Sequence, residues 1–158
     1  MTTIELLDPA DDEQFAVFHA TCSGTQIEEW DRPYSALEQR VEFLQDDGYA
    51  DQLGLLARDD DGTPVGVGIA KMPLKDNLSL VYVTVRVLPE HRRRGHGSAL
   101  FDAIASIGRE RGRSSLFARI ASSTCPRGCP RRPYATDMRC TRGAVRAPRN
   151  GPTSTRTC

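Results

Sequence analysis

Six consecutive residues, Arg92-Arg93-Arg94-Gly95-His96-Gly97, combine three cations with two glycines two positions apart. They follow a valine-rich run, Leu78–Leu88, and precede an amphipathic one whose apolar residues are Leu100, Phe101, Ile104 and Ile107. Strand, basic glycine-containing loop and helix in that order make a place for an anion. The first turn of a helix carries unpaired N–H groups and about half a positive charge from the helix dipole. Glycines remove the Cβ atoms that would keep an anion from the backbone, and they permit positive φ. The ligand expected there is a phosphate or pyrophosphate.

Other phosphate-binding patterns fail. No Gly-Lys-Ser/Thr follows, which excludes the Walker loop, and Leu100 stands where a dinucleotide fingerprint needs its third glycine. The order R-x-x-G-x-G is present as Arg92, Gly95 and Gly97. With its flanks Val87-Leu88-Pro89-Glu90-His91 and Ser98-Ala99-Leu100, this segment resembles the acetyl-CoA-binding motif of the GNAT superfamily of N-acetyltransferases.

That resemblance covers about residues 1–120 and implies an α/β (α+β) fold. Its sheet is mixed, mostly antiparallel and flanked by helices, as in the acyl-CoA N-acyltransferases, and would be incomplete at its C-terminal end. It further implies that backbone groups of Val85, Arg86 and Val87 pair with the pantetheine arm, while Arg92, Arg93, Arg94, Gly95, His96, Gly97 and Ser98 hold the pyrophosphate. The thioester would lie between the Leu78–Leu88 strand and a strand at Ser114–Ile120. The implied reaction transfers an acetyl group from acetyl-CoA to an amine, on a small molecule or a protein. A base keeps the amine neutral, backbone donors stabilise the oxyanion and an acid protonates the thiolate. No residue of this chain can be assigned as base or acid. The long strand carries no carboxylate, and Tyr134 lies in a segment without the helical pattern the family's acid-bearing helix requires.

The elements that must position the loop are readable from periodicity. Thr3–Leu7 suggests a short strand, and Asp11–Ala20 a helix with Phe15 and Phe18 inward. Ser35-Ala36-Leu37-Glu38 forms a capping box opening a helix with Leu37, Val41 and Leu44 on one face. Leu53–Arg58 and Val65–Met72 form a hairpin around Asp61-Gly62, and Val65, Val67 and Ile69 should share one face. In Leu78–Leu88, Val81, Val83, Val85 and Val87 share one face and Tyr82, Thr84 and Arg86 the other. A helix follows from about Gly97 to Arg111, with Gly112 as its C-terminal glycine. Leu55, Val67, Val83, Val85, Leu100, Ile104 and Leu116 are expected in the core.

The chain has 158 residues, enough for one domain, with 21 basic and 21 acidic side chains. Their distribution is uneven. Residues 121–158 hold eight Arg, six Thr, five Pro and four Cys, with Asp137 as their one acid. Without apolar periodicity, this tail is expected to be disordered and to leave the Ser114–Ile120 strand with an open edge. A shifted reading frame in a GC-rich gene would produce such a composition. A non-catalytic domain that at most binds CoA is therefore the alternative to an enzyme, and an Arg-rich nucleic-acid binder a more distant one.

Other features point to function less directly. Trp30 and Tyr34 could line an acceptor pocket or only pack, and Glu28 and Glu29 could attract an amine. His91 and His96 lack neighbours at metal-ligand spacing, and Cys125, Cys129 and Cys140 are irregularly spaced, so no metal is expected. No signal segment or membrane span is evident, and a cytoplasmic location is expected.

Overall fold

The computed structural model describes residues 1–25, 35–118 and the strand 145–146. The elements are β1 (Thr3–Leu6), α1 (Asp12–Gly24), α2 (Ala36–Leu44), β2 (Ala50–Arg58), β3 (Pro64–Pro73), β4 (Leu80–Val87), a short 3-10 turn (Pro89–His91), α3 (His96–Glu110), β5 (Ser115–Ala118) and β6 (Val145–Arg146). The sheet order is β1-β2-β3-β4-β5-β6, with every pair antiparallel except β4 with β5. That one parallel pair needs a crossover, and α3 supplies it. The fold is the mixed, mostly antiparallel α/β architecture that the loop motif implied.

The helices lie on both faces. On one, Leu100 and Ile104 of α3 pack with Leu55, Met72, Val81, Val83 and Leu116. On the other, Phe15 and Phe18 of α1 pack with Leu7, Leu56 and Val67. Of the expected core residues, Leu55, Val67, Val83, Leu100, Ile104 and Leu116 are buried. Val85 is only half-buried. Gly97 sits over it and brings no side chain to cover it, where even an added Cβ would reach van der Waals contact with the Val85 methyl at 3.8 Å.

The hairpin turn follows its sequence. Asp59 Oδ1 accepts from the N–H groups of Asp61 and Thr63, and Gly62 adopts φ of 78°. The pairs Ala57↔Gly66 and Arg58↔Pro64 leave Val65 as an extra residue, a β-bulge. The expectation that Val65 shares a face with Val67 and Ile69 is therefore corrected: Val65 joins the α3 cluster, and the other two pack on the α1 side.

The direction in which α2 turns its apolar face is a further finding. Its capping box forms as expected, with Glu38 N–H donating to Ser35 Oγ and Ser35 N–H to Glu38 Oε2. Yet Leu37, Val41 and Leu44 are exposed. The inward side carries Gln39, bonded to His19 at 2.8 Å, and Arg40, which pairs with Asp12 at 2.6 Å and lies over the Phe15 ring. Periodicity shows that residues share a face, and not which way that face turns. Hydrogen bonds from Ser35 hold the Glu38 carboxyl below the ordinary carboxylate range. A carboxylate with a lowered folded-state pKa stabilises fully above its unfolded pKa, and that stabilisation is lost as pH falls through the lowered value. An NMR titration should therefore show α2 loosening at its N-terminus in that acid window. In Ser35→Ala, the Glu38 titration should move only part of the way up, because the larger cause, the hydrogen bond from the backbone N–H of residue 35, survives the loss of the hydroxyl.

A second correction is at the sheet's far side. Ser115 pairs with Arg146 and Leu116 with Val145, so β5 is covered at those two positions rather than left wholly open. The remaining expectations for the tail, with those for Trp30, Tyr34, Glu28, Glu29, Tyr134, Cys125, Cys129 and Cys140, lie outside the described residues.

Candidate cofactor and acetyl-transfer site

The basic loop begins where β4 ends. Pro89 cannot continue the ladder, and the chain turns through Pro89–His91, with His91 N–H bonded to Leu88 O. Arg93 then takes φ of 66° and Gly95 φ of 90°. Gly95 is the N-cap of α3, and its carbonyl accepts from Ala99 N–H at 3.0 Å. A Ser or Asp there would turn its side chain onto the first-turn N–H groups. Glycine has none to turn. Among the described residues, the N–H groups of His96, Gly97 and Ser98 have no acceptor, and no acidic side chain stands in the first turn. Arg92, Arg93 and Arg94 are exposed around them.

The cradle is open above the backbone. A Cβ built on Gly95 meets nothing within 4 Å, and one on Gly97 meets only the Val87 and Val85 methyls, at 3.5 and 3.8 Å. Open donors, local positive charge, unfilled space over Gly95 and the absence of a side chain at Gly97 fit a pyrophosphate. His96 is set differently from its neighbours. Its ring is buried, and Nδ1 shares a hydrogen bond of 2.9 Å with Thr2 Oγ1. The sequence offers no signal for this anchor, because its partner lies 94 positions away. His91 and His96 approach ring to ring at 6.2 Å, but among the described residues no cluster of three or more His, Cys, Asp or Glu could hold a metal.

Next to the loop runs a strand edge that has no partner among the described residues. Leu88 N–H donates to Val65 O at 2.9 Å. Donors and acceptors alternate sides along an antiparallel ladder, so Tyr82, Thr84 and Arg86 address β3, while Val83, Val85 and Val87 address the β5 side. The β4–β5 register ends at Val83↔Ala118. Among the described residues, the Val85 N–H and C=O and the Val87 N–H therefore point into a gap. The Val87 carbonyl is taken by Arg92 Nε at 3.0 Å. Arg86 sends its own N–H and C=O toward Val67 and adds no backbone group to the gap. The structure thus brings Val85, Val87, Arg92, Arg93, Arg94, Gly95, His96, Gly97 and Ser98 together at one end of the sheet, with the Arg86 side chain on the face away from α3.

Comparison with known proteins bears on the fold and the family. A tandem GNAT protein from the clavulanic acid biosynthesis pathway superposes with a TM-score of 0.65 and 21% identity over 85% of this chain. This chain spans 41% of that protein's length. An aminoglycoside 6'-N-acetyltransferase complexed with coenzyme A gives 0.56 and 16%, covering 73% of this chain and 60% of its own. A ribosomal-protein-alanine N-acetyltransferase from Brucella melitensis biovar Abortus gives 0.55 and 25%, covering 75% and 80%. Among curated proteins, none matches this chain. The model of the Acetyltransferase (GNAT) family matches residues 20–125, more than half of the chain, and the protein belongs to that family.

Proposed function

We propose that the protein binds acetyl-CoA and transfers its acetyl group to an amine. The observation that carries this reading is the glycine-capped N-terminus of α3, whose three first-turn N–H groups have no acceptor among the described residues, lying beside a stretch of β4 edge likewise without a partner among them. His96, Gly97 and Ser98 N–H would hold the pyrophosphate, and Arg93 and Arg94 would neutralise its charge. Val85 N–H and C=O and Val87 N–H would align the pantetheine amides, as an added strand would. Arg92 would act at the turn between the two, since its Nε already ties the loop to Val87 O. Bound acetyl-CoA would supply an acetyl group activated as a thioester. In the transfer, an N–C bond forms as the C–S bond breaks, the amine releases one proton and the thiolate takes one up.

A second reading, a domain that binds CoA without turnover, is favoured by one observation: neither β4 nor described β5 carries a carboxylate to act as base. One experiment separates the two. Calorimetry with acetyl-CoA should show binding to the wild type and a modest loss, about three- to tenfold, in Arg93→Ala, in keeping with the small worth of one exposed charge among neighbours. A thiol-release assay over an amine panel then reports turnover. Binding with no thiol release from any amine leaves the non-catalytic reading, and no binding removes both.

A further inference from the structure

We propose that Tyr82 and Phe117 form the acceptor's binding shelf, and that the acceptor is a primary amine bearing an aromatic or bulky apolar group and no second positive charge. The proposal rests on the acetyl-transfer reading and adds to it a substrate class and two specificity residues.

The position of the shelf follows from the edge of β4. Among the described residues the edge from Thr84 to Val87 has no partner, and an arm entering at the loop can pair along it, about 13 Å of strand. It must stop at Val83, because Ala118 occupies the edge there. The reactive end of the arm is therefore delivered beside the first β4–β5 pairs. On the α3 face of that point, Val81, Val83, Leu100, Ile104 and Leu116 are buried and leave no room. On the opposite face the next pair down is Tyr82↔Phe117. Both are large and aromatic, yet 42% and 38% exposed. Their rings meet edge to face, with centroids 5.8 Å apart and planes at 74°. The α1 cluster ends short of them: its strand members are Leu56, Val67 and Ile69, nearer the loop end of the sheet.

The chemistry of the shelf selects the acceptor. An apolar group laid on two aromatic rings gains from burial and from ring packing. Lys71 is the cross-strand partner of Tyr82 and is exposed beside it. Its ammonium repels a second cation on the ligand. It also favours the neutral form of the incoming amine, the form that can attack, and desolvation against the rings acts in the same direction. A polyamine or an aminoglycoside meets the opposite terms: several charges, little apolar surface and a like charge at the shelf.

Saturation-transfer NMR with phenylethylamine, spermidine and kanamycin, with and without CoA, tests the shelf independently of turnover. Phenylethylamine should give the strong signal. Its affinity should fall about tenfold or more in the Tyr82→Ala/Phe117→Ala double variant and persist in Tyr82→Phe, which keeps the ring. Acetyl-CoA affinity by calorimetry should stay within about twofold in all three proteins, which also shows that they remain folded. With acetyl-CoA, kcat/KM for phenylethylamine should exceed that for spermidine by about tenfold or more, and the loss in the double variant should fall on KM. Equal or tighter binding of spermidine or kanamycin, no binding of phenylethylamine, or binding unaffected by the double variant overturns the proposal. Failure of acetyl-CoA to bind the wild type instead sinks the acetyl-transfer reading, while the NMR result still decides the shelf.

Discussion

Gly95→Val and Gly97→Val are each expected to lower acetyl-CoA affinity by about a hundredfold or more, beyond the loss from any single arginine of the loop. The two act by different routes. At Gly95 the backbone stands at φ of 90°, a conformation that a β-branched residue resists, so valine distorts the N-cap and turns the N–H groups away from the ligand. At Gly97 the backbone is ordinary helix. A Cβ there would make van der Waals contact with Val87 and Val85, so the free protein can accept it. What valine fills at Gly97 is the space over the open first turn. Gly97→Val should therefore fold and melt close to wild type while failing to bind, whereas Gly95→Val should lose some stability as well. Calorimetry and thermal melts on both variants separate these outcomes. Wild-type affinity in either would show that the loop is not the pyrophosphate cradle.

Leu100→Ala should destabilise the fold by about 2–5 kcal/mol, toward the upper part of that range. Leu100 is fully buried, and its Cδ2 lies 3.3 Å from where a Cβ on Gly68 would stand. The cost of a truncation grows with the cavity that remains. Across from Leu100 the sheet presents a glycine, which has no side chain to swing into the void. Phe101→Ala, at a half-buried position on the same helix, should cost less. Denaturant unfolding measures both. A loss below about 1 kcal/mol for Leu100→Ala would place the centre of the core elsewhere.

Local chemistry makes the site's centre legible in the sequence. The R-x-x-G-x-G spacing, the Pro89 stop and the α3 stripe each depend on residues a few positions apart, and each lies where that spacing puts it. The alternation in β4 likewise assigns Tyr82 to the face away from α3. The unreadable parts depend on partners distant in sequence. The outward turn of Leu37, Val41 and Leu44 is decided by His19 and Asp12 on α1, which bind Gln39 and Arg40. The bulge at Val65 arises from its register with Ala57 and Arg58. The pairing of Val145 and Arg146 with β5 involves two residues, too few for any period to show. The tail's composition suggests an open edge there because composition carries no information about register.

The hydrogen bond between Thr2 and His96 has a consequence for how tightly the loop can hold anything. His96 begins α3, and Thr2 directly precedes β1, the strand at the far edge of the sheet. The cradle is thus fastened to the chain's first residues as well as to β4. Order in β1 and occupancy of the cradle are then reciprocally linked: whatever a bound anion contributes to fixing His96 is shared with the edge strand, and fraying of that strand is subtracted from the anion's affinity. The opening residues of the polypeptide, far from the loop in sequence, belong to its thermodynamics.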